Sequence, residues 1–448
     1  MPRFDVPTAR FRPVWDADSR SLGWAGARGH QVRFARPAPY CDTRVMPLSF
    51  PADDHLGANR PFGLGYWPMP EDDPGVEIPR ESIRIVTPDR ALVRGVLWRA
   101  PVGVPEKKTA VILSHPRGDF SVHYACPLLA AAGYATFGFG TRYQNNDTDC
   151  LHESCITDVR AGADEMRRRG YESVILLGNS GGGSLMALAQ KEHACGDGFL
   201  AIAAHPGEGV FMGHVIDPSV ADENDPFSTV PELDMYNPDN GWKPWPNPVE
   251  YDHGWLAAYR NAQTQRIARI DAIAKASIAE ADDARTCGLA LDKEAEPRAW
   301  REQRRRGVFT KYLVIYRTLA DPAYLDLSIE PDERRLGSLF AFPDPFEANY
   351  GRGGLARTMT ARGWLSTWSA LSSHAKLADT MPFVTVPTMI VHPTADTEIR
   401  VREALEIRDS SGATDLTYLE MTGALHYLEG SRREAMSAVV EWLNARYN

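Results

Sequence analysis

The chain has 448 residues, of which 43% are hydrophobic and 24% charged, and its formal net charge is −10. This is the balance of an ordinary soluble globular protein, long enough for one enlarged domain or two modules. The acidic charge excludes a nucleic-acid or anionic-membrane partner, because both require a basic surface.

The six cysteines (Cys41, Cys126, Cys150, Cys155, Cys195 and Cys287) contain no C-x-x-C pair. They are too sparse for a disulfide framework and lack zinc-ligand spacing. The first residues carry no apolar signal region, and no stretch of about 18 apolar residues occurs. The expectation is a cytoplasmic protein with a small-molecule substrate and no membrane partner, and a homodimer remains open.

Residues 1–76, rich in Pro, Arg and aromatics, read as an irregular N-terminal extension that wraps a core or borders an active site. The stretches from Glu81 and from Ala91 alternate apolar with polar around Thr87-Pro-Asp-Arg, an antiparallel hairpin signature. Apolar runs then alternate with helical patterns. Strands are predicted at 110–114, 134–139, 173–177 and 199–204, and helices at 123–132, 150–169 and 182–194. Such alternation implies an α/β fold, a mostly parallel sheet with helices on both faces. The rhythm breaks at His205-Pro206 and returns at Thr388. Between them lie a long helical pattern at 249–285 and a shorter one at 296–306, whose Arg301–Arg306 run reads as a solvated helix face. After a strand from Thr388, a helix at 400–409, a strand at 416–421 and a last helix at 432–446 complete the pattern. The predicted organisation is one sheet domain in two parts, 77–206 and 385–448, interrupted by a large, mainly helical cap insertion at 207–384.

The segment Ser173-Val-Ile-Leu-Leu-Gly-Asn-Ser-Gly-Gly-Gly contains G-x-S-x-G as Gly178, Ser180 and Gly182. A nucleophilic serine needs a sharp, strained strand-to-helix turn, and small residues two positions to either side let strand and helix pass closely. Here an apolar strand ends at the motif and a helix begins within it. The Gly181 N–H then becomes an oxyanion donor at a helix start. A phosphate loop is a poorer fit, since the Gly-Lys-Ser/Thr ending is missing, and Tyr143 stands where a dinucleotide fingerprint from Gly138 needs its third glycine.

On these residues the core resembles the α/β-hydrolase superfamily, whose triad runs Ser, acid, His. The resemblance implies an α/β-hydrolase fold. Its acid, just after a late strand, corresponds to Asp396 in Thr388-Met-Ile-Val-His-Pro-Thr-Ala-Asp, with Pro393 replacing the usual glycine. The alternatives are an Asp396 that only caps the next helix, with Glu398 as the acid. The family histidine corresponds to His426 in Thr422-Gly-Ala-Leu-His-Tyr. The second oxyanion donor would come from Ser114-His-Pro-Arg-Gly-Asp. Pro116 has no N–H, so Arg117 is the candidate and Gly118 the next, with His115 bracing the loop.

A serine hydrolase acting through an acyl-enzyme on Ser180 is expected, most simply on a carboxylic ester, and such a triad needs no cofactor and no metal. The competing readings are an acyltransferase, a C–C bond hydrolase, and a binding protein that has lost turnover. Specificity is expected in the cap, where Trp242, Trp245, Trp255, Trp364 and Trp368, with Tyr251, either line a pocket or form the cap's own core. Arginines between 333 and 362 are further candidates for an acidic substrate.

Overall fold

The computed structural model describes residues 64–447 apart from 245, 339–344 and 352–353. Most of the 1–76 extension, and Trp245, lie outside the described residues.

The first strands, β1 (Arg80–Val86) and β2 (Leu92–Trp98), form the expected hairpin. Then follow β3 (Thr109–Leu113), α1 (Ala125–Ala131), β4 (Ala135–Gly140), α2 (His152–Arg168), β5 (Ser173–Ser180), α3 (Gly181–His193) and β6 (Gly198–Ala204). The chain leaves the sheet through α4 (Glu208–Val215), α5 (His253–Ala290) and α6 (Pro297–Val308). A two-stranded antiparallel ladder, β7 (Tyr312–Val314) with β8 (Thr358–Thr360), and the short helices α7 (Pro345–Tyr350), α8 (Ala361–Gly363) and α9 (Leu377–Thr380) complete this excursion. The sheet resumes with β9 (Thr388–Pro393), α10 (Val401–Asp409), β10 (Leu416–Met421) and α11 (Arg432–Asn444).

The eight strands of the main sheet run in the order β1-β2-β4-β3-β5-β6-β9-β10, parallel from β4 to β10 and antiparallel at β1 and β2. Strands β3 to β6 are buried almost throughout, because helices cover both faces. Successive side chains alternate between the two cores. Ile112, Val174 and Leu176 pack with Val159 and Met166 of α2 and Leu185 of α3. Val111, Ile175 and Leu177 pack with Leu129 of α1 and Val439 and Leu443 of α11.

The excursion has its own cores. One face of α5, with Tyr259, Gln263, Arg266, Ile267, Ile270 and Ala274 at helical spacing, is buried. Ile267 and Ile270 meet Phe211 and Met212 of α4 and Trp364, while Tyr259 joins Tyr251 and Leu325 in a second cluster. The last turns of the predicted cap behave differently. Ala375, Leu377, Met381 and Val384 pack into the α2–α3 core of the sheet domain, so 375–384 is structurally part of that domain.

Candidate active site

Strand β5 ends on Ser180 with φ 54° and ψ −129°, a left-handed conformation that costs a non-glycine residue on the order of 1–3 kcal/mol. The surrounding structure enforces it. A Cβ on Gly178 would lie 2.5 Å from the Gly183 Cα, and one on Gly183 would lie 2.4 Å from the Ala204 Cβ. The preceding residue, Asn179, is fully buried and pinned from both ends of its amide. Its Nδ2 donates to the Ile202 carbonyl at 2.7 Å, and its Oδ1 accepts from His123 Nε2 at 2.9 Å and the Tyr124 hydroxyl at 3.3 Å. His123 Nδ1 accepts the Ala125 N–H at 3.1 Å, which places the ring proton on Nε2. Burial holds this imidazole down at about 3, so it stays neutral.

Three strand ends converge above this turn. His426, on the loop after β10, sets Nε2 3.0 Å from Ser180 Oγ and Nδ1 2.7 Å from Asp396 Oδ2, on the loop after β9. The other Asp396 oxygen accepts the N–H groups of Glu398 at 2.8 Å and Ile399 at 3.2 Å. The two loops are tied by the Ala395 N–H on the Ala424 carbonyl, 3.0 Å. Burial raises the Asp396 carboxyl, but the His426 charge and hydrogen bond outweigh it and hold the group below its ordinary range. Burial likewise lowers His426, and Asp396 more than reverses this, leaving the imidazole above its ordinary value. An ionised Asp396 can only accept, so His426 carries its proton on Nδ1 and presents a lone pair at Nε2 to the Ser180 hydroxyl. Glu398, the alternative acid, instead accepts from the Tyr324 hydroxyl at 2.8 Å. His205 meets His426 edge-on at 5.5 Å, and burial holds its own ring down at about 3.

The loop after β3 departs from expectation. His115 braces it as predicted, but does so by accepting the Gly118 N–H at 2.9 Å and the Arg117 N–H at 3.3 Å on Nδ1. The Arg117 amide is thereby turned to His115 and is not presented as an oxyanion donor. Gly118, the second candidate, is committed in the same way. The Arg117 guanidinium is also engaged: it pairs with the buried Glu208, lies 3.4 Å from Asp147 and sits over the Trp368 ring at 4.5 Å. Burial raises the Glu208 carboxyl, but Arg117 and His152 outweigh it and keep Glu208 ionised.

The tryptophans divide. Trp364 is buried in the cap core with its Nε1 on Asp271 at 2.7 Å. Trp255 stacks on Tyr251 at 4.7 Å, and Trp242 packs on the same cluster. Trp364 is thus interior to the excursion, whereas Trp242 and Trp255 are half-buried against the Tyr251 cluster. Trp368 borders the Arg117–Glu208 pair. The arginines at 334 and 357 bond backbone carbonyls within the cap.

One contact escaped sequence reasoning. Tyr66 packs edge-on against Tyr427 at 4.8 Å and at a tilt against Phe120 at 5.0 Å. No periodicity marks this segment, so nothing in the sequence singles Tyr66 out. The segment is tethered by the buried Arg432, which donates to the carbonyls of Gly65 and Trp67 and pairs with the buried Asp72 at 2.7 Å. Arg432→Ala is expected to lower stability by about 3–5 kcal/mol, because Asp72 would be left buried and unpaired. Thermal unfolding checks this; an unchanged Tm would mean that the tether carries no load.

A mostly parallel sheet with Ser180, Asp396 and His426 at its carboxyl edge, in that chain order, and a strained serine between strand and helix define an α/β-hydrolase fold. No family model matches the chain, and no curated protein matches it in sequence. Among solved structures it is similar to the alpha/beta hydrolase GrgF from Penicillium sp. sh18, at 12% identity over 82% of this chain and 99% of that one, with a TM-score of 0.47. It is also similar to brefeldin A esterase, a bacterial homologue of human hormone sensitive lipase, at 14% identity over 87% and 83%, TM-score 0.44. A third is Est1E from Butyrivibrio proteoclasticus, at 12% identity over 81% and 98%, TM-score 0.41.

Proposed function

We propose that the chain is a serine hydrolase that cleaves a carboxylic ester or related acyl bond of a medium-sized organic substrate. The observation that carries this reading is the relay Ser180–His426–Asp396, at 3.0 Å and 2.7 Å. His426 takes the Ser180 proton as Oγ bonds to the acyl carbon, and the carbonyl electron pair moves onto oxygen. Collapse expels the leaving group, which takes the proton from His426, and leaves an acyl-Ser180. Water, deprotonated by His426, then cleaves that ester and regenerates the hydroxyl. Asp396 holds the ring and stabilises the imidazolium formed in both steps.

A cleft of about 690 Å³ supports a medium-sized substrate; Phe211, Tyr251, Leu256, Arg260 and Arg400 are among its lining. This falls within the usual range of small-molecule sites. The lining includes Glu398, two residues after Asp396, and Phe211, which packs edge-on against His205 at 4.9 Å as His205 does against His426. Chromogenic acyl esters of graded chain length, with one amide and one lactone, test the reading. Saturable ester hydrolysis is expected, and the absence of turnover across the panel would count against it.

The pH dependence has a definite sign. The base form of His426 is unprotonated, so kcat/KM should rise with pH as one proton is lost. The inflection should lie above the ordinary imidazole value of about 6.5, since Asp396 raises this group. A rate that stays flat from about pH 5 to 8, with chemistry limiting, would remove His426 from its role.

A further inference from the structure

The tetrahedral intermediate of the proposed reaction carries negative charge on the former carbonyl oxygen, and donors fixed in advance around that oxygen lower the barrier. Gly181, first residue of α3, offers its N–H there. The loop after β3 offers no second one from its nearest amides. Pro116 lacks an N–H, and those of Arg117 and Gly118 both point to His115 Nδ1. The Arg117 guanidinium is held by Glu208, Asp147 and the Trp368 ring.

The two bonds that remove these amides prepare another donor. Because His115 Nδ1 accepts both, at 2.9 Å and 3.3 Å, the ring carries its proton on Nε2. Burial, aided by the Arg117 charge, holds this imidazole down at about 3, so it stays neutral in that one tautomer. The Nε2 end faces Gly181, where an added Cβ would lie 2.9 Å from it. Cβ and N share one Cα, so Nε2 stands within about 6 Å of the Gly181 nitrogen. That is the separation at which two N–H groups, each about 2.9 Å from its acceptor, can share one oxygen. Among the described residues, the hydrogen bonds of the His115 ring are the two on Nδ1, which leaves the Nε2–H without an acceptor. Glu208 Oε1, 2.6 Å from the same Cβ point, accepts from the Arg117 guanidinium, and that cation offsets its charge.

We infer that His115 is a catalytic residue, its Nε2–H being the second oxyanion donor beside the Gly181 N–H. This rests on the reading of Ser180 as nucleophile. When Ser180 Oγ bonds to the acyl carbon, the carbonyl π pair moves onto oxygen, and both N–H groups donate to it. Collapse returns the pair to the carbonyl. His115 keeps its proton throughout and transfers nothing. The arrangement also accounts for glycine at 181, since any side chain there would meet Nε2 at 2.9 Å and Glu208 Oε1 at 2.6 Å.

His115→Asn separates the two ends of the ring. The asparagine Oδ1 takes the place of Nδ1 and can accept the Gly118 N–H, while nothing stands where Nε2 was. With the ester substrate, kcat should fall by roughly 10²–10³ while KM changes little. The affinity of a trifluoromethyl ketone, whose hemiketal oxygen imitates the intermediate, should fall by a comparable factor. The affinity of the alcohol of the same skeleton should be unchanged. In the wild-type protein, the His115 Nε2–H proton NMR signal should move downfield on binding the ketone and stay in place with the alcohol. A folded variant with wild-type kcat would overturn the inference and leave the Ser180 reading intact. So would a slowed variant that binds the ketone as tightly as wild type, since His115 would then act only by bracing its loop. A wild-type Nε2–H signal unmoved by the bound ketone would do the same, and it decides the matter even where the variant does not fold. If the ketone fails to inhibit the wild-type protein, and that protein does not form an acyl-Ser180, the reading of the site itself falls.

Discussion

Ser180→Ala should remove turnover, lowering kcat on the order of 10⁴–10⁶ with substrate affinity largely retained, because the covalent step has no other nucleophile in place. Among the groups described, Ser180 Oγ is the hydroxyl on His426 Nε2, at 3.0 Å. The fold should survive, since the elbow is held by Asn179 and the surrounding glycines rather than by the serine hydroxyl. Ala at φ 54° is as strained as Ser, so Tm should move by no more than a few degrees. Steady-state kinetics beside thermal unfolding tests both halves. A stable variant retaining more than about 1% of the rate would displace Ser180 from the chemistry.

Asp396→Asn should be nearly as damaging, with kcat lowered by about 10⁴. The reason lies in the acid's second oxygen. Asp396 Oδ1 already accepts two backbone N–H groups, from Glu398 and Ile399. An asparagine would keep its carbonyl oxygen there and turn its NH₂ toward His426. Nδ1 would then have to accept, the ring proton would move to Nε2, and the lone pair that receives the Ser180 proton would be gone. The defect is one of tautomer, so the structure should be unchanged and the His426 NMR signals should report a proton on Nε2 in place of Nδ1. A variant of near wild-type rate would mean that another group, with Glu398 closest in sequence, orients the histidine.

The core and the meeting of Ser180, His426 and Asp396 were legible in the sequence for a definite reason. Buried parallel strands must be apolar throughout, so β3, β5 and β6 stand out from their helices, and the elbow requires small residues at fixed spacing. Asp396 and His426 follow strand ends, where topology leaves few positions for them. The oxyanion side was not legible. The capture of the Arg117 and Gly118 amides depends on the direction of one imidazole nitrogen, which spacing cannot reveal. Tyr66 comes from a segment without periodicity, brought to the site by Arg432 from the far end of the chain. In the cap, irregular segments have no pattern that separates a ring lining a pocket from one filling a core. Trp242, Trp255 and Trp364 therefore read the same in sequence as Trp368, which alone of the four lies beside the Arg117–Glu208 pair. The 375–384 segment reads as cap because no strand interrupts it, yet its apolar residues dock on the sheet domain.

The central claim, that Ser180 is a nucleophile activated by His426, is tested most directly by treating the protein with an organophosphonate ester and mapping the adduct by mass spectrometry. The account predicts one phosphonyl group per chain, located on the peptide containing Ser180, and slower labelling below the His426 inflection. Labelling elsewhere, or none in folded protein at a pH where the imidazole is neutral, would contradict it.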